Sequence, residues 1–198
     1  MFVIGLTGSI GMGKTTTAGF FAAEGIPVWD ADAAVHRIYQ AGGAAVEPIR
    51  QICPEAIVEG AVDRTALKAW IARDSEAIGQ LNKVVHPLVA QDRAGFLNQA
   101  RKDGHDIALV DVPLLFETGG AEYVDAVIVV SAPAEVQRTR VLERPGMTQE
   151  HFERILAQQV PDKEKRARAD YAIETTTPDD AQKAVRDILS KIRKAIDA

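Results

Sequence analysis

The chain has 198 residues, 46% hydrophobic and 26% charged, with a formal net charge of −5. That composition excludes a disordered or fibrous chain, and the acidic balance speaks against binding nucleic acid through a basic surface. The single cysteine, Cys53, excludes an intrachain disulfide and a cysteine-rich zinc site.

Residues 2–7, Phe-Val-Ile-Gly-Leu-Thr, are an apolar run leading into a glycine-rich stretch and read as a buried strand. This start lacks the basic region of a signal peptide, and no later run reaches the roughly 18 apolar residues that cross a bilayer. The expectation is a soluble, cytoplasmic protein with no membrane partner, monomeric or a small homo-oligomer. Helical spacing over 14–24 puts Ala18, Phe21 and Ala22 on one face, and Gly25 stops it. Residues 26–29 form a second short strand that ends at Asp30-Ala31-Asp32. From 33 to 102 the pattern is helical, and no further strand is predicted there. His86-Pro87-Leu88 interrupts this stretch, and the proline either kinks the helix or starts a new one. Residues 107–110 are the third strand, 124–130 the fourth and 171–173 a weak fifth. In the last helix Thr177 caps, Pro178 takes the first turn, and Asp179 and Asp180 favour the positive end.

Short apolar strands alternating with helices predict an α/β fold, a parallel sheet covered on both faces. The helical stretch between the second and third strands is too long for a simple crossover and is expected to form a lobe. Residues 140–168 are expected to form a second one. Over 138–168 the chain holds eight Lys/Arg against five Asp/Glu, a local +3 in an otherwise acidic protein.

Gly8-Ser9-Ile10-Gly11-Met12-Gly13-Lys14-Thr15 fits the P-loop pattern of glycine, four free positions, then Gly-Lys-Ser/Thr. Glycines let the backbone wrap round phosphate oxygens with successive N–H groups turned inward. The helix starting near Lys14 adds its positive end. Lys14 supplies charge to the outer phosphates, and the Thr15 hydroxyl is placed to ligate Mg²⁺. The motif serves kinases, GTPases and motor ATPases alike. A switch GTPase is disfavoured, since Asn82-Lys83-Val84-Val85 lacks the guanine-selecting Asp and Asp92-Arg93-Ala94-Gly95 lies in helical pattern.

In open α/β sheets ligands bind beyond the carboxyl ends of the strands, where Asp30 and Asp32 stand. A carboxylate there can accept the proton of an attacking hydroxyl, orient it, or hold a water on Mg²⁺. It can equally cap the next helix. Asp30 is read as the cap and Asp32 as the catalytic group. Asp111, at the end of the third strand, is either a Walker-B-like carboxylate, serving Mg²⁺ through water, or an ordinary strand-end acid. His86 is either structural or a substrate contact. Trp29 and Trp70 read as packing, and His36, His105 and His151 show no metal-ligand spacing with the cysteine.

Together these pieces resemble the dephospho-coenzyme A kinase family. They are Leu-Thr-Gly-x-Ile-Gly-x-Gly-Lys at 6–14, Asp30-Ala31-Asp32, His86-Pro87-Leu88 and Pro113-Leu114-Leu115-Phe116-Glu117. Further on come Arg140, Arg144, Arg154-Ile155, Gln158-Gln159 and Ala169-Asp170-Tyr171. The resemblance implies a P-loop fold with a five-stranded parallel core (1–31, 105–137 and 169–198), a helical substrate lobe (32–104) and a mobile lid (138–168). It implies ATP as phosphoryl donor, Mg²⁺, and the ribose 3′-hydroxyl of dephospho-CoA as acceptor. Asp32, Lys14 and Arg140 are then the catalytic residues. Gly8, Gly11, Met12, Gly13, Lys14, Thr15, Thr16 and Arg144 bind ATP, and Asp32, His86, Leu114 and Glu117 bind the acceptor. Two positions depart from the family pattern. Met12 stands where a small residue is common, and His36 stands where many members place Arg. A nucleoside monophosphate or small-metabolite kinase would share the P-loop and lid but not the pieces at 86–88 and 113–117. A regulatory nucleotide-binding module would need neither a hydroxyl base nor an acceptor lobe.

Overall fold

The computed structural model describes residues 1–197. It divides into two compact units, residues 1–29 with 100–197, and Asp30–Gln99.

In chain order the first unit contributes β1 (Phe2–Thr7), α1 (Lys14–Ala23) and most of β2 (Val28–Asp30). After the second unit come β5 (Ile107–Asp111), β6 (Ala126–Ser131), α6 (Ala134–Leu142), α7 (Gln149–Ala157), α8 (Asp162–Arg168), β7 (Tyr171–Glu174) and α9 (Pro178–Ile196). The five strands form one sheet in the order β2-β5-β1-β6-β7. Pairings β1–β5, β1–β6 and β6–β7 are parallel, and Leu109 N–H donates to the Pro27 carbonyl to hold β2 at the edge.

Both faces of this sheet are covered, which is why its strands read as continuous apolar runs. The alternation survives inside them. Ile128 and Val130 of β6 join Ile4, Leu6, Phe21 of α1, and Val185, Ile188 and Ile192 of α9. Val127 and Val129 face the other way, onto Leu115 and Phe116, with Val160 and Ala169 against them. Two carboxylates tie strand starts to their neighbours. Val3 N–H donates to Asp125 Oδ2 at 2.7 Å and Val127 N–H to Asp170 Oδ2 at 2.8 Å. The final helix is capped as predicted, with Thr177 accepting from Asp180 N–H.

The second unit holds α2 (Ala31–Tyr39), α3 (Val46–Ile52), β3 (Ile57–Val58), β4 (Ala61–Val62), α4 (Arg64–Arg73) and most of α5 (Ala77–Lys102). Its helices close on their own core, with Ile38, Ile49, Leu67, Trp70 and Leu81 buried together. Two expectations need correcting here. Residues 33–102 do contain strands, since β3 and β4 form an antiparallel hairpin. Two residues per strand give periodicity nothing to read, and the turn is closed by Glu59 (φ 50) and Gly60 (φ 77), both left-handed as a two-residue hairpin requires. Nor does Pro87 start a new helix. It lies inside α5, which continues to Lys102, and the Pro87 nitrogen simply carries no hydrogen for the Lys83 carbonyl.

Candidate active site

The loop between β1 and α1 owes its course to its glycines. A Cβ on Gly8 would lie 2.4 Å from Val130 Cγ2 and 2.8 Å from the Val130 carbonyl oxygen, so only glycine lets the loop leave the sheet so close to β6. Gly11 (φ 78) and Gly13 (φ 83) are left-handed, and at Gly11 a Cβ would also lie 2.4 Å from Val141 Cγ2. Gly13 is the N-cap of α1, and no side chain caps this end. The first-turn amides of Lys14, Thr15 and Thr16 therefore lack intrahelical acceptors and present positive partial charge.

Polar groups from later in the chain brace the loop. Gln137 Nε2 donates to the Ile10 carbonyl at 2.8 Å, and Ile10 N–H donates to Gln159 Oε1 at 3.1 Å. Thr175 Oγ1 lies 2.8 Å from the Met12 carbonyl. Met12 turns its side chain into the apolar core, where its sulfur accepts from Ala132 N–H at 3.0 Å. At this unusual position it is therefore the backbone that shapes the loop. Gln137 and Thr175 were not singled out from sequence; an isolated Gln in a helix and a Thr in a Thr-rich turn carry no local signal. Gln159 was quoted only within a motif.

Lys14 Nζ lies 2.5 Å from Asp111 Oδ1, and the Asp111 side chain is 2% exposed. The parallel pairing of β1 with β5, which matches Leu6 to Asp111, brings the loop lysine and the strand-end acid together. Thr15 and Thr16 are exposed. The Thr15 hydroxyl and the Asp111 carboxylate are hard oxygen donors suited to Mg²⁺. Among the described residues no group of three or more His, Cys, Asp or Glu could hold a metal. Such a donor pair fits an ion that takes its other ligands from phosphate oxygens and water.

Arg140, half-buried on α6, donates from Nη1 to Thr175 Oγ1 at 3.2 Å and from Nη2 to the Thr175 carbonyl at 2.6 Å. Arg144 is exposed beyond the end of α6. Leu114 is exposed, and Glu117 sits half-buried beneath the basic segment. Its Oε1 accepts from Val160 N–H at 2.8 Å and lies 2.9 Å from Lys165 Nζ, while Lys165 is fully buried. Burial alone pushes the Glu117 carboxyl up, but Lys165 and the Val160 amide outweigh it and hold it below its ordinary value. Arg168 stacks over the Phe116 ring at 4.4 Å. The 113–117 motif and the basic segment therefore meet. Lys165 was not anticipated, because a lysine in a charged run reads as solvated.

In the second unit Asp30 accepts from Ala33 N–H at 2.8 Å as the N-cap of α2. This is the structural role expected of it. Asp32 is exposed in the first turn of α2, and His36 is exposed near its end. His86 is exposed on α5. Asp92, within α5, pairs with Arg37 at 2.5 Å, which agrees with its placement in a helix and not in a switch loop.

The family model for dephospho-CoA kinase matches residues 2–180. The chain belongs to the dephospho-CoA kinase family. The dephospho-CoA kinase of Cereibacter sphaeroides is 55% identical over 197 residues, covering 100% of this chain and 98% of the relative. A solved structure from Thermus thermophilus superposes with a TM-score of 0.82 at 33% identity, covering 96% of this chain and 97% of that one. The dephospho-CoA kinase of Campylobacter jejuni gives 0.74 at 24% identity over 98% of both chains, a likeness of fold. As a member of the dephospho-CoA kinase family the chain is an enzyme, a P-loop phosphotransferase with a five-stranded core.

Proposed function

We propose that this chain transfers the γ-phosphoryl group of ATP to the ribose 3′-hydroxyl of dephospho-CoA, giving coenzyme A and ADP, the last step of coenzyme A synthesis. The observation that carries this reading is a built phosphate cradle, shaped by Gly8, Gly11 and Gly13 with Lys14 held beside Asp111, in a chain matched by the family over 2–180.

In this reading the amides of Gly11 and of residues 13–16 hold the phosphates and Lys14 carries charge to the outer ones. Thr15, with Asp111 through water, would hold Mg²⁺, which when bound neutralises charge on the β- and γ-phosphate oxygens. Asp32 takes the proton of the 3′-hydroxyl as its oxygen bonds to the γ-phosphorus, and the bond to the bridging oxygen breaks to release ADP. Arg140 and Arg144 offset charge on the transferring group. The acceptor contacts are assigned to Asp32, His86, Leu114 and Glu117. For Glu117 the atom left without a hydrogen-bond partner among the described residues is Oε2, which is buried. Residues 32–104 serve as the acceptor lobe and 138–168 as the lid. The setting is the cytoplasm, as a monomer or small homo-oligomer. No helix among the described residues is long and apolar enough to cross a membrane.

The test offers the purified chain Mg·ATP with dephospho-CoA, AMP or shikimate in turn and follows ADP release. Turnover should depend on dephospho-CoA, with the new phosphate at the 3′ position by phosphorus NMR. Release driven instead by AMP or shikimate, or by no acceptor, overturns the assignment.

A further inference from the structure

Thr175 lies just past β7 and is 5% exposed. Its N–H donates to the Ser131 carbonyl at 2.8 Å, one step beyond the last β6–β7 pair, Ser131 with Glu174. The sheet therefore sets where its side chain starts. The hydroxyl has one proton and two lone pairs. Met12 O lies 2.8 Å away and Ser131 O 3.3 Å. The Ser131 carbonyl already takes the amide, so the proton goes to Met12. A lone pair is left to accept from Arg140 Nη1 at 3.2 Å, while Arg140 Nη2 donates to the Thr175 carbonyl at 2.6 Å. One residue thus grips two of the three guanidinium nitrogens and a carbonyl of the phosphate loop.

We propose that Thr175 is a positioning residue for phosphoryl transfer, acting through Arg140. This rests on the reading above, in which Arg140 meets the transferring phosphoryl group. An arginine side chain has many rotamers, and a catalytic charge is effective only when its place is set before the reaction. Two bonds to Thr175 set that place. The third, from its hydroxyl to Met12 O, refers it to the loop that holds the phosphates. It also turns this carbonyl away from the anion, as a nest of inward N–H groups requires. A Cβ on Gly13 would lie 3.1 Å from Thr175 Oγ1, so the loop packs directly on this hydroxyl.

The test compares Thr175→Val, Thr175→Ser, Arg140→Ala and the Arg140→Ala/Thr175→Val double variant, with dephospho-CoA as acceptor. Thr175→Val keeps the shape and loses the hydroxyl; its kcat should fall roughly tenfold to a hundredfold, while KM for dephospho-CoA stays within about twofold. Thr175→Ser restores the hydroxyl and should return kcat to within about threefold of the parent. The double variant should be no more than about threefold below Arg140→Ala, because residues acting as one unit are not additive. Should Thr175→Val not fold, Thr175→Cys, with a weak donor, takes its place with the same expected kcat loss. A fall in thermal midpoint with parental kcat overturns the proposal, as do equal losses for Val and Ser or a multiplicative loss in the double variant. Parental kcat for Thr175→Val beside a crippled Arg140→Ala overturns the role of Thr175 alone. Parental kcat for Arg140→Ala overturns the role of that arginine, and the proposal with it.

Discussion

Lys14 stands between two anions, the phosphates proposed for the loop and the Asp111 carboxylate 2.5 Å away. Lys14→Ala is expected to lower kcat by at least about a hundredfold, the usual loss when a positioned charge is removed from a transition state. ATP affinity should fall with it, by calorimetric titration, while far-ultraviolet circular dichroism stays parental. Asp32→Asn separates chemistry from folding more cleanly than sequence alone allows. The cap of α2 is Asp30, not Asp32, so the exchange leaves the capping bond untouched. Turnover should drop by about two to four powers of ten, with dephospho-CoA affinity and thermal midpoint little changed. Parental turnover would leave Asp32 as an acidic first-turn residue serving the helix dipole. Asp30 and Asp32 were both legible as candidates because they follow an apolar run that reads as a strand, although only Asp30 ends β2 and Asp32 lies in the first turn of α2. Their different tasks became visible only through the bond from Ala33 N–H to Asp30.

At the scale of elements, the buried contact of α8 with the 113–117 segment rests on Lys165 and Glu117. Removing one partner of a buried pair strands the other charge, so Lys165→Met is expected to cost about 3 kcal/mol by urea denaturation. Adding Glu117→Gln should return at least about 1 kcal/mol, because the stranded carboxylate is then gone. The same pair has a pH signature. The Glu117 carboxyl is held below its ordinary value of 4.5 when folded. Its contribution is therefore present in full above that value and is lost as pH falls through the lower folded value. Glu117→Gln should flatten that part of the acid limb in a stability-against-pH series; an unchanged limb would show the pair contributes nothing there. The short β3–β4 hairpin belongs to the same scale. Its four residues lie below the length at which alternation is readable, whereas α9 announced itself through a cap, a proline and a long apolar repeat.

For the whole molecule, a ligand that binds only the folded chain raises its stability by mass action. At a concentration of a hundred times Kd, Mg·ATP should add about 2.7 kcal/mol. For a chain of this size that is a rise of roughly 5–10 °C in thermal midpoint by differential scanning fluorimetry. Lys14→Ala should remove most of the rise. A full shift in that variant would mean the nucleotide is held elsewhere.

What the sequence determined by itself was whatever is encoded locally or by order along the chain. The glycine spacing of 8–13, the five apolar runs and the caps at Asp30 and Thr177 were readable because each depends on backbone conformation and near neighbours. The family was readable because its pieces recur in one order. Tertiary structure alone decided which distant groups meet. Strand register set Asp111 beside the β1 end that leads to Lys14, and the β6–β7 ladder carried Thr175 beneath Met12 and Arg140. Packing also put Lys165, a residue of a charged run, fully out of water. The bond from Lys165 N–H to Pro161 O is local, whereas the distant contacts run from 35 positions of chain, Arg140 to Thr175, to 163, Thr175 to Met12. No window of neighbouring residues contains the second sort, because its energy arises only when the sheet has brought the two segments together.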